Sequence, residues 1–195
     1  MKINFFASIL LFVCSISLAS AQETDSKDLS YLFPQPKSWD FGIQIMSGVE
    51  ESQYTNQANR DFINEPYFVG RLGFFAQYNL TKKSSLRSEI SAGAFSRLAP
   101  TLSFQYGYNF APRWTAYGGI GLDIDFNNQA FSPERDAEQR LINPRLQLGV
   151  RYQATKSLFF DLRYEQDMLD RTKRQDLSNS IGKFKTISLG AGFKF

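Results

Sequence analysis

The sequence predicts an all-β protein, an eight-stranded antiparallel up-and-down transmembrane β-barrel. Three observations lead to this prediction. The last eleven residues, 185–195, alternate apolar with small or polar side chains and end on Phe195. Seven further segments show the same period of two, which places alternate side chains on opposite faces of a strand. The connections between the segments are short at one end and mostly long at the other, as in membrane-spanning barrels.

The candidate strands cover residues 39–49, 67–80, 86–94, 101–110, 115–126, 143–154, 158–167 and 185–195. Each carries one apolar face, such as Phe104, Tyr106 and Tyr108 on the fourth. Each strand is close to or above the roughly 9–11 residues that cross a bilayer at a tilt. After residue 22 no apolar run approaches the roughly 20 residues of a membrane helix. Strands are therefore the predicted membrane-crossing elements.

The connections differ at the two ends of the predicted barrel. Segments 81–85, 111–114 and 155–157 are short and each contains Lys or Arg, whereas 50–66, 127–142 and 168–184 are expected to be long loops. An even strand number places both chain termini at the short-turn end, which we expect to be periplasmic. Tyr78, Tyr108, Tyr152 and Phe193 recur near that end, where aromatic rings are predicted to lie at the membrane interface.

The first 21 residues are predicted to be a cleaved secretory signal peptide. Lys2 is followed by an apolar run and by Ala19-Ser20-Ala21, a small-residue cleavage pattern. A membrane anchor is the alternative, although the run is short for a spanning helix. Residues 22–38 are expected to form a short periplasmic segment, and 39–195 the barrel. The one cysteine, Cys14, lies in the signal peptide, so the mature chain has no disulfide.

The polar faces of the predicted strands carry many charges. Five arginines and several carboxylates share the luminal parity: Arg71, Arg87, Glu89, Asp123, Asp125, Arg145, Arg151, Asp161, Arg163 and Glu165. The interior of an eight-stranded barrel is just wide enough for side chains to fill. We therefore expect a charge-paired lumen network that plugs the barrel, with an ion pathway as the alternative.

Several kinds of chemistry are disfavoured by the composition. The formal net charge of +3 is too balanced to indicate nucleic-acid binding. Histidine is absent, and no cysteine remains after processing, so the chain is predicted not to be an enzyme and to bind no cofactor or metal. Asp123, Asp125 and Asn127 have a calcium-like spacing, but Asn128 stands where an EF-hand requires glycine. Pairing with luminal arginine is the favoured interpretation.

The signal peptide, the alternating strands, the basic short turns and the aromatic terminus together resemble the small OmpA/OmpX-like outer-membrane β-barrel family. The resemblance covers residues 39–195. It implies a location in the bacterial outer membrane. It also implies that the terminal strand, with Leu189, Phe193 and Phe195, is the signal recognised by the outer-membrane barrel assembly machinery.

The leading functional hypothesis is a non-enzymatic, monomeric outer-membrane barrel that supports envelope integrity or presents loops for adhesion. Its expected surroundings are outer-membrane lipid and lipopolysaccharide, whose phosphates the basic loop 171–174 could contact. A narrow porin passing ions or small solutes is the alternative. A soluble secreted barrel with an apolar ligand cavity is the third class, disfavoured by the arginine-rich second face.

Overall fold

The computed structural model describes residues 34–56, 61–93, 100–124, 138–139, 142–169, 172–173 and 180–195. The predicted signal peptide, residues 1–21, and most of the predicted periplasmic segment lie outside these residues. In chain order the strands are β1 Ser38–Asn56, β2 Asp61–Asn79, β3 Ser84–Gly93, β4 Pro100–Ala111, β5 Trp114–Ile124, β6 Glu138–Gln139, β7 Ile142–Gln153, β8 Leu158–Asp167, β9 Thr172–Lys173 and β10 Ser180–Lys194. The described residues include no helix long and apolar enough to cross a membrane.

Eight of these strands form a closed barrel in the order β1-β2-β3-β4-β5-β7-β8-β10, and every neighbouring pair is antiparallel. The terminal strand β10 closes the barrel against β1, from the pair Gly42–Lys194 to the pair Thr55–Ser180. The two-residue strands β6 and β9 pair with each other outside the barrel. The predicted fold class is confirmed. Closure leaves no free sheet edge within the barrel wall, which is the condition for a β-structure to cross a membrane.

The strand bounds differ from prediction mainly at the long-loop end. β8 covers the predicted residues 158–167, but β1 and β2 continue to pair as far as Asn56 and Asp61. The expectation of a loop over residues 50–66 was therefore wrong, and β10 likewise begins five residues earlier than predicted. Strand segments that extend past the bilayer need no apolar outer face, so their period of two disappears while the backbone ladder continues.

The short turns lie where the sequence places them. In the β2–β3 turn the Thr81 hydroxyl accepts hydrogen bonds from the backbone N–H groups of Lys83 and Ser84, both at 3.0 Å. In the β7–β8 turn the Thr155 hydroxyl accepts from the N–H of Leu158 at 3.0 Å. Such threonine turns satisfy backbone donors locally, which is why a few residues suffice to reverse the chain. Ser38, the first residue of β1, and Lys194, the last residue of β10, lie at this same end.

The core of the molecule is the barrel interior. Along β3, for example, Ser85, Arg87, Glu89 and Ser91 are buried, and the alternating side chains face outward. The buried set of the described residues is mostly polar or charged, whereas large apolar side chains are exposed on the outside. This is the inverse of a water-soluble barrel, and it places the candidate functional site in the lumen.

Candidate functional site

The outer surface of the barrel is apolar around most of its circumference. Ile45, Phe104 and Leu162 are each more than half exposed, although they lie in the middle of regular strands. Large apolar side chains exposed side by side on several strands indicate contact with a non-aqueous environment. The surface therefore fits the hydrocarbon region of a bilayer.

Aromatic rings gather at the short-turn rim, as the sequence predicts. Trp39 and Tyr78 contact across β1 and β2 with ring centroids 5.0 Å apart. Trp114 and Tyr152 make the corresponding contact across β5 and β7 at 4.8 Å. Amphipathic rings of this kind favour the membrane–water interface, so this rim marks one boundary of the membrane-spanning part.

Charged side chains fill the lumen. The described strands contribute five arginines and six acidic residues: Arg71, Arg87, Arg145, Arg151 and Arg163 with Glu50, Glu89, Asp123, Asp161, Glu165 and Asp167. All but Arg71 are buried. A buried charge is tolerated only when it is paired and hydrogen-bonded, so the pairing pattern decides whether the lumen is a plug or a pathway.

Arg145 is the centre of the half nearest the long loops. Its side chain is inaccessible to solvent, and its guanidinium nitrogens lie 3.1–3.6 Å from four carboxylates, those of Glu50, Asp123, Glu165 and Asp167. It also donates to the Thr186 hydroxyl at 2.6 Å, and Thr186 in turn donates to Glu50 at 2.8 Å. One cation thus ties together β1, β5, β7, β8 and β10.

Arg71 adds a second cation to this half. Its guanidinium contacts Glu165 at 2.5 Å and Glu50 at 3.8 Å. Two arginines therefore face four carboxylates, and the half nearest the long loops carries an excess of negative charge. Arg163, 3.7 Å from Glu165, connects this half to the other one.

The half nearest the short turns carries an excess of positive charge. Arg163 makes a two-pronged contact with Glu89, at 2.9 and 3.1 Å. Arg151 donates through two nitrogens to one oxygen of Asp161, at 2.9 and 3.1 Å, and the buried Tyr117 hydroxyl donates to the other oxygen. Paired donors of arginine match the geometry of a carboxylate, so these contacts fix the side chains as well as neutralising them.

Two phenylalanines and an arginine close the lumen near the short turns. The Arg87 guanidinium lies 3.6 Å from the centroid of the Phe75 ring and 5.2 Å from that of Phe159. The two rings meet edge to face, with centroids 5.6 Å apart. Phe159 is completely buried. We call Phe75, Arg87 and Phe159 the aromatic plate.

Glycines on the neighbouring strands, directly opposite the two phenylalanines in the strand register, make room for this plate. A Cβ atom at Gly42 would lie 2.5 Å from the tip of the Phe75 ring, and one at Gly192 would overlap the ring of Phe159. The closing strands β1 and β10 therefore carry glycine where the aromatic plate meets them. The small residues of the terminal strand thus serve packing inside the barrel.

The lumen beside Arg71 has little empty space. A void of about 10 Å³ lies beside Met46, Val69, Arg71 and Thr186. A cavity needs roughly 10–15 Å³ to hold one water molecule. The described interior at this level is therefore packed nearly as tightly as a protein core.

The structure places the predicted lumen residues Arg71, Arg87, Glu89, Asp123, Arg145, Arg151, Asp161, Arg163 and Glu165 in the network described above. Asp125 lies outside the described residues, as do Asn127 and Asn128 of the calcium-like pattern. Asp123 accepts from Thr101 at 2.6 Å and pairs with Arg145. The described residues contain no group of three or more side chains suited to holding a metal ion.

Sequence reasoning missed several members of the site. Glu50 was assigned to a loop because its strand was predicted to end at Val49. Phe75 follows the outward-facing Phe74, and Phe159 precedes the outward-facing Phe160. Because neighbouring residues of a strand face opposite sides, each pair places one phenylalanine in the lumen. The doubled aromatics were the available signal, since one ring of each pair must face the lumen.

Comparison with known proteins gives structural matches only. No protein-family model matches the sequence, and no curated protein does. The solved N-terminal β-barrel domain of Pseudomonas aeruginosa OprF is 16% identical, with a TM-score of 0.44 over 78% of this chain and 97% of that one. Ail, the attachment invasion locus protein of Yersinia pestis, is 15% identical, with a TM-score of 0.44 over 80% and 98%. Neisserial surface protein A is 12% identical, with a TM-score of 0.43 over 78% and 97%.

The chain is similar to small eight-stranded outer-membrane β-barrels. Its own features agree with that architecture: a closed barrel, an apolar outer surface, an aromatic rim and a polar interior. The narrower OmpA/OmpX-like assignment and the signal peptide stay predictions.

Proposed function

We propose that this chain is an integral outer-membrane β-barrel with a sealed lumen, which acts without catalysis in envelope integrity or in loop-mediated adhesion. The observation that carries the proposal is the interior. A charge-paired network and the aromatic plate occupy successive levels of the lumen from the long-loop end to the short-turn end. The outward apolar surface supports insertion in a membrane, and an outer membrane is the compartment where closed antiparallel barrels of this type occur.

The packing favours a plug over a narrow porin. A conducting pore needs a continuous water-filled path with binding weak enough for ions to leave. Here the luminal cations are engaged by carboxylates at 2.5–3.8 Å, and the aromatic plate lies across the interior below them. An ion would have to displace buried ion pairs to pass.

The described lumen also offers little for catalysis. Its carboxylates are engaged by arginine, and its one buried phenol, that of Tyr117, donates to Asp161 and accepts from Arg163. A general base must be able to reach a substrate proton. The Tyr117 phenol and the luminal carboxylates of the described residues are buried away from solvent, which supports a non-enzymatic role.

Liposome efflux tests the sealed lumen. Purified full-length protein reconstituted into liposomes loaded with potassium ions or a small sugar should release neither faster than empty liposomes. Rapid efflux from the wild-type protein would favour the porin. The same preparation, incubated with phospholipid and lipid A, should release no fatty acid, and hydrolysis would reject the non-enzymatic role.

The two cellular roles can be separated in a deletion strain. A version with residues 127–137 replaced by a short Gly/Ser linker keeps all eight barrel strands. If the barrel itself supports the envelope, this version should restore resistance to detergent as well as the full chain does. If the loops mediate adhesion, only the full chain should restore binding to host cells or to other bacteria.

A further inference from the structure

A groove of about 690 Å³ runs across the outer surface of the barrel on β2 to β5. Its floor consists of two small residues, Ala76 and Ser88, which replace the large apolar side chains found elsewhere on this surface. Ala76 and Ser88 face each other across β2 and β3, and Ser88 is next to Phe104 on β4. The depression therefore arises from the strand register, which places the small residues Ala76 and Ser88 opposite each other on β2 and β3.

Bulky side chains enclose the groove on its sides. Tyr78, Leu86 and Tyr106 form a row toward the short turns, two residues closer to the β2–β3 turn than the floor. Phe104 and Ile120 stand at its far side, and both are about half exposed. The lining is almost wholly apolar, so the groove suits a hydrocarbon chain better than a polar ligand.

Two positively charged residues lie on the short-turn side of the row formed by Tyr78, Leu86 and Tyr106. Lys82 and Lys83 are exposed in the β2–β3 turn. Asn109 of β4 holds that turn, since its backbone N–H donates to the Lys83 carbonyl at 2.7 Å and its side-chain amide donates to the Lys82 carbonyl at 3.1 Å. The backbone of both lysines is therefore held at the short-turn rim, and their ammonium groups can reach the level where lipid phosphates lie when the aromatic rim sits at the interface.

We propose that this groove binds an anionic phospholipid of the periplasmic leaflet, with an acyl chain lying over Ala76 and Ser88 and the phosphate near Lys82 and Lys83. The proposal rests on the membrane location proposed above. Two features favour lipid as the occupant: the groove lies on the membrane-facing surface, and its charged end matches an anionic headgroup. A pair of lysines near a membrane surface strengthens binding of an anionic lipid by about fivefold per residue.

Native mass spectrometry of the folded full chain, released from detergent micelles, measures the binding. The probes are dioleoyl phosphatidylglycerol, which is anionic, and dioleoyl phosphatidylcholine, which carries no net charge. Ser88→Leu fills the floor and should reduce retention of both lipids by about tenfold. Ala191→Leu, an outward alanine on β10 away from the groove, is the matched control and should leave retention unchanged.

The lysines are tested separately. Changing Lys82 and Lys83 together to Gln should lower retention of phosphatidylglycerol by more than tenfold and leave phosphatidylcholine unchanged. Lys156→Gln, in the β7–β8 turn, is the control and should have no such effect. The proposal would be overturned if Ser88→Leu did not alter lipid retention. It would also be overturned if the chain still preferred phosphatidylglycerol over phosphatidylcholine after both lysines were replaced.

Two further results distinguish the alternatives. If Ser88→Leu disrupts a dimer and leaves lipid binding intact, the groove is an interface between two copies, and the lipid proposal is wrong. If the wild-type chain folds in buffer without detergent, the proposed membrane function itself fails. Migration of unheated and boiled samples on a gel verifies that each variant is folded before it is compared.

Discussion

Replacing Arg145 by Met should destabilise the barrel strongly, because the substitution keeps the volume of the side chain but removes the cation shared by four carboxylates. The side chain is fully buried, and its nitrogens lie 3.1–3.6 Å from Glu50, Asp123, Glu165 and Asp167. Removing one partner of a buried ion pair costs roughly 3–5 kcal/mol, since the remaining charge is left uncompensated. We expect a loss in that range, a large share of a typical stability of about 5–15 kcal/mol.

The structure indicates which carboxylates are left with the weakest charge compensation when Arg145 is removed. Arg71 still contacts Glu165 at 2.5 Å and Glu50 at 3.8 Å. Asp123 keeps the hydrogen bond from Thr101 and Asp167 keeps that from the Phe184 backbone, but these donors carry no full charge. Adding Asp123→Asn to Arg145→Met should therefore recover part of the loss, with a coupling of about 0.5–3 kcal/mol.

Urea titration in detergent micelles measures this effect. The two tryptophans, Trp39 and Trp114, provide the fluorescence signal, since both lie at the short-turn rim. Arg113→Met is the matched control: Arg113 donates to the Tyr152 hydroxyl at 3.2 Å at that rim, and its loss should cost about 1 kcal/mol or less. If Arg145→Met lowers the free energy of unfolding no more than Arg113→Met does, the assignment of Arg145 as the centre of the network is refuted.

Three further predictions concern the aromatic plate and the terminus. Phe159→Ala should cost about 3–5 kcal/mol by urea titration and should allow potassium efflux from liposomes, because it removes a fully buried ring that closes the lumen. Gly192→Ala should cost about 1–3 kcal/mol, because its Cβ would overlap that ring, whereas Gly118→Ala meets only a flexible leucine tip at 3.3 Å and should be nearly neutral. Phe195→Asp should lower the yield of folded barrel in cells more than Phe131→Asp does, as measured by heat-dependent gel migration, and equal yields would count against a terminal assembly signal.

The barrel wall was predictable because the membrane imposes a pattern on each strand. β8 follows the prediction at both ends, since alternation of apolar Leu158, Phe160 and Leu162 with luminal Asp161 and Arg163 persists along the whole strand. The pattern disappears where β1 continues past residue 49 and where β2 begins before residue 67, because segments outside the bilayer have no lipid-facing side to specify.

The lumen was predictable in kind but not in its connections. Parity alone placed Arg145 and Glu165 in the interior, but it could not show that Arg145 joins four carboxylates on different strands. That depends on the stagger of the strands around the barrel, which brings Glu50 of β1 beside Arg145 of β7. The inward position of Phe75 and Phe159 was obscured because aromatic residues on a transmembrane strand usually face lipid.

The measurement that tests the sealed lumen most directly is single-channel recording of the purified, unmutated chain in a planar lipid bilayer. The charge-paired interior and the aromatic plate predict no steady unitary conductance in molar salt at applied voltages of either sign. A steady, reproducible conductance from the wild-type barrel would contradict the account and establish an open path through the lumen.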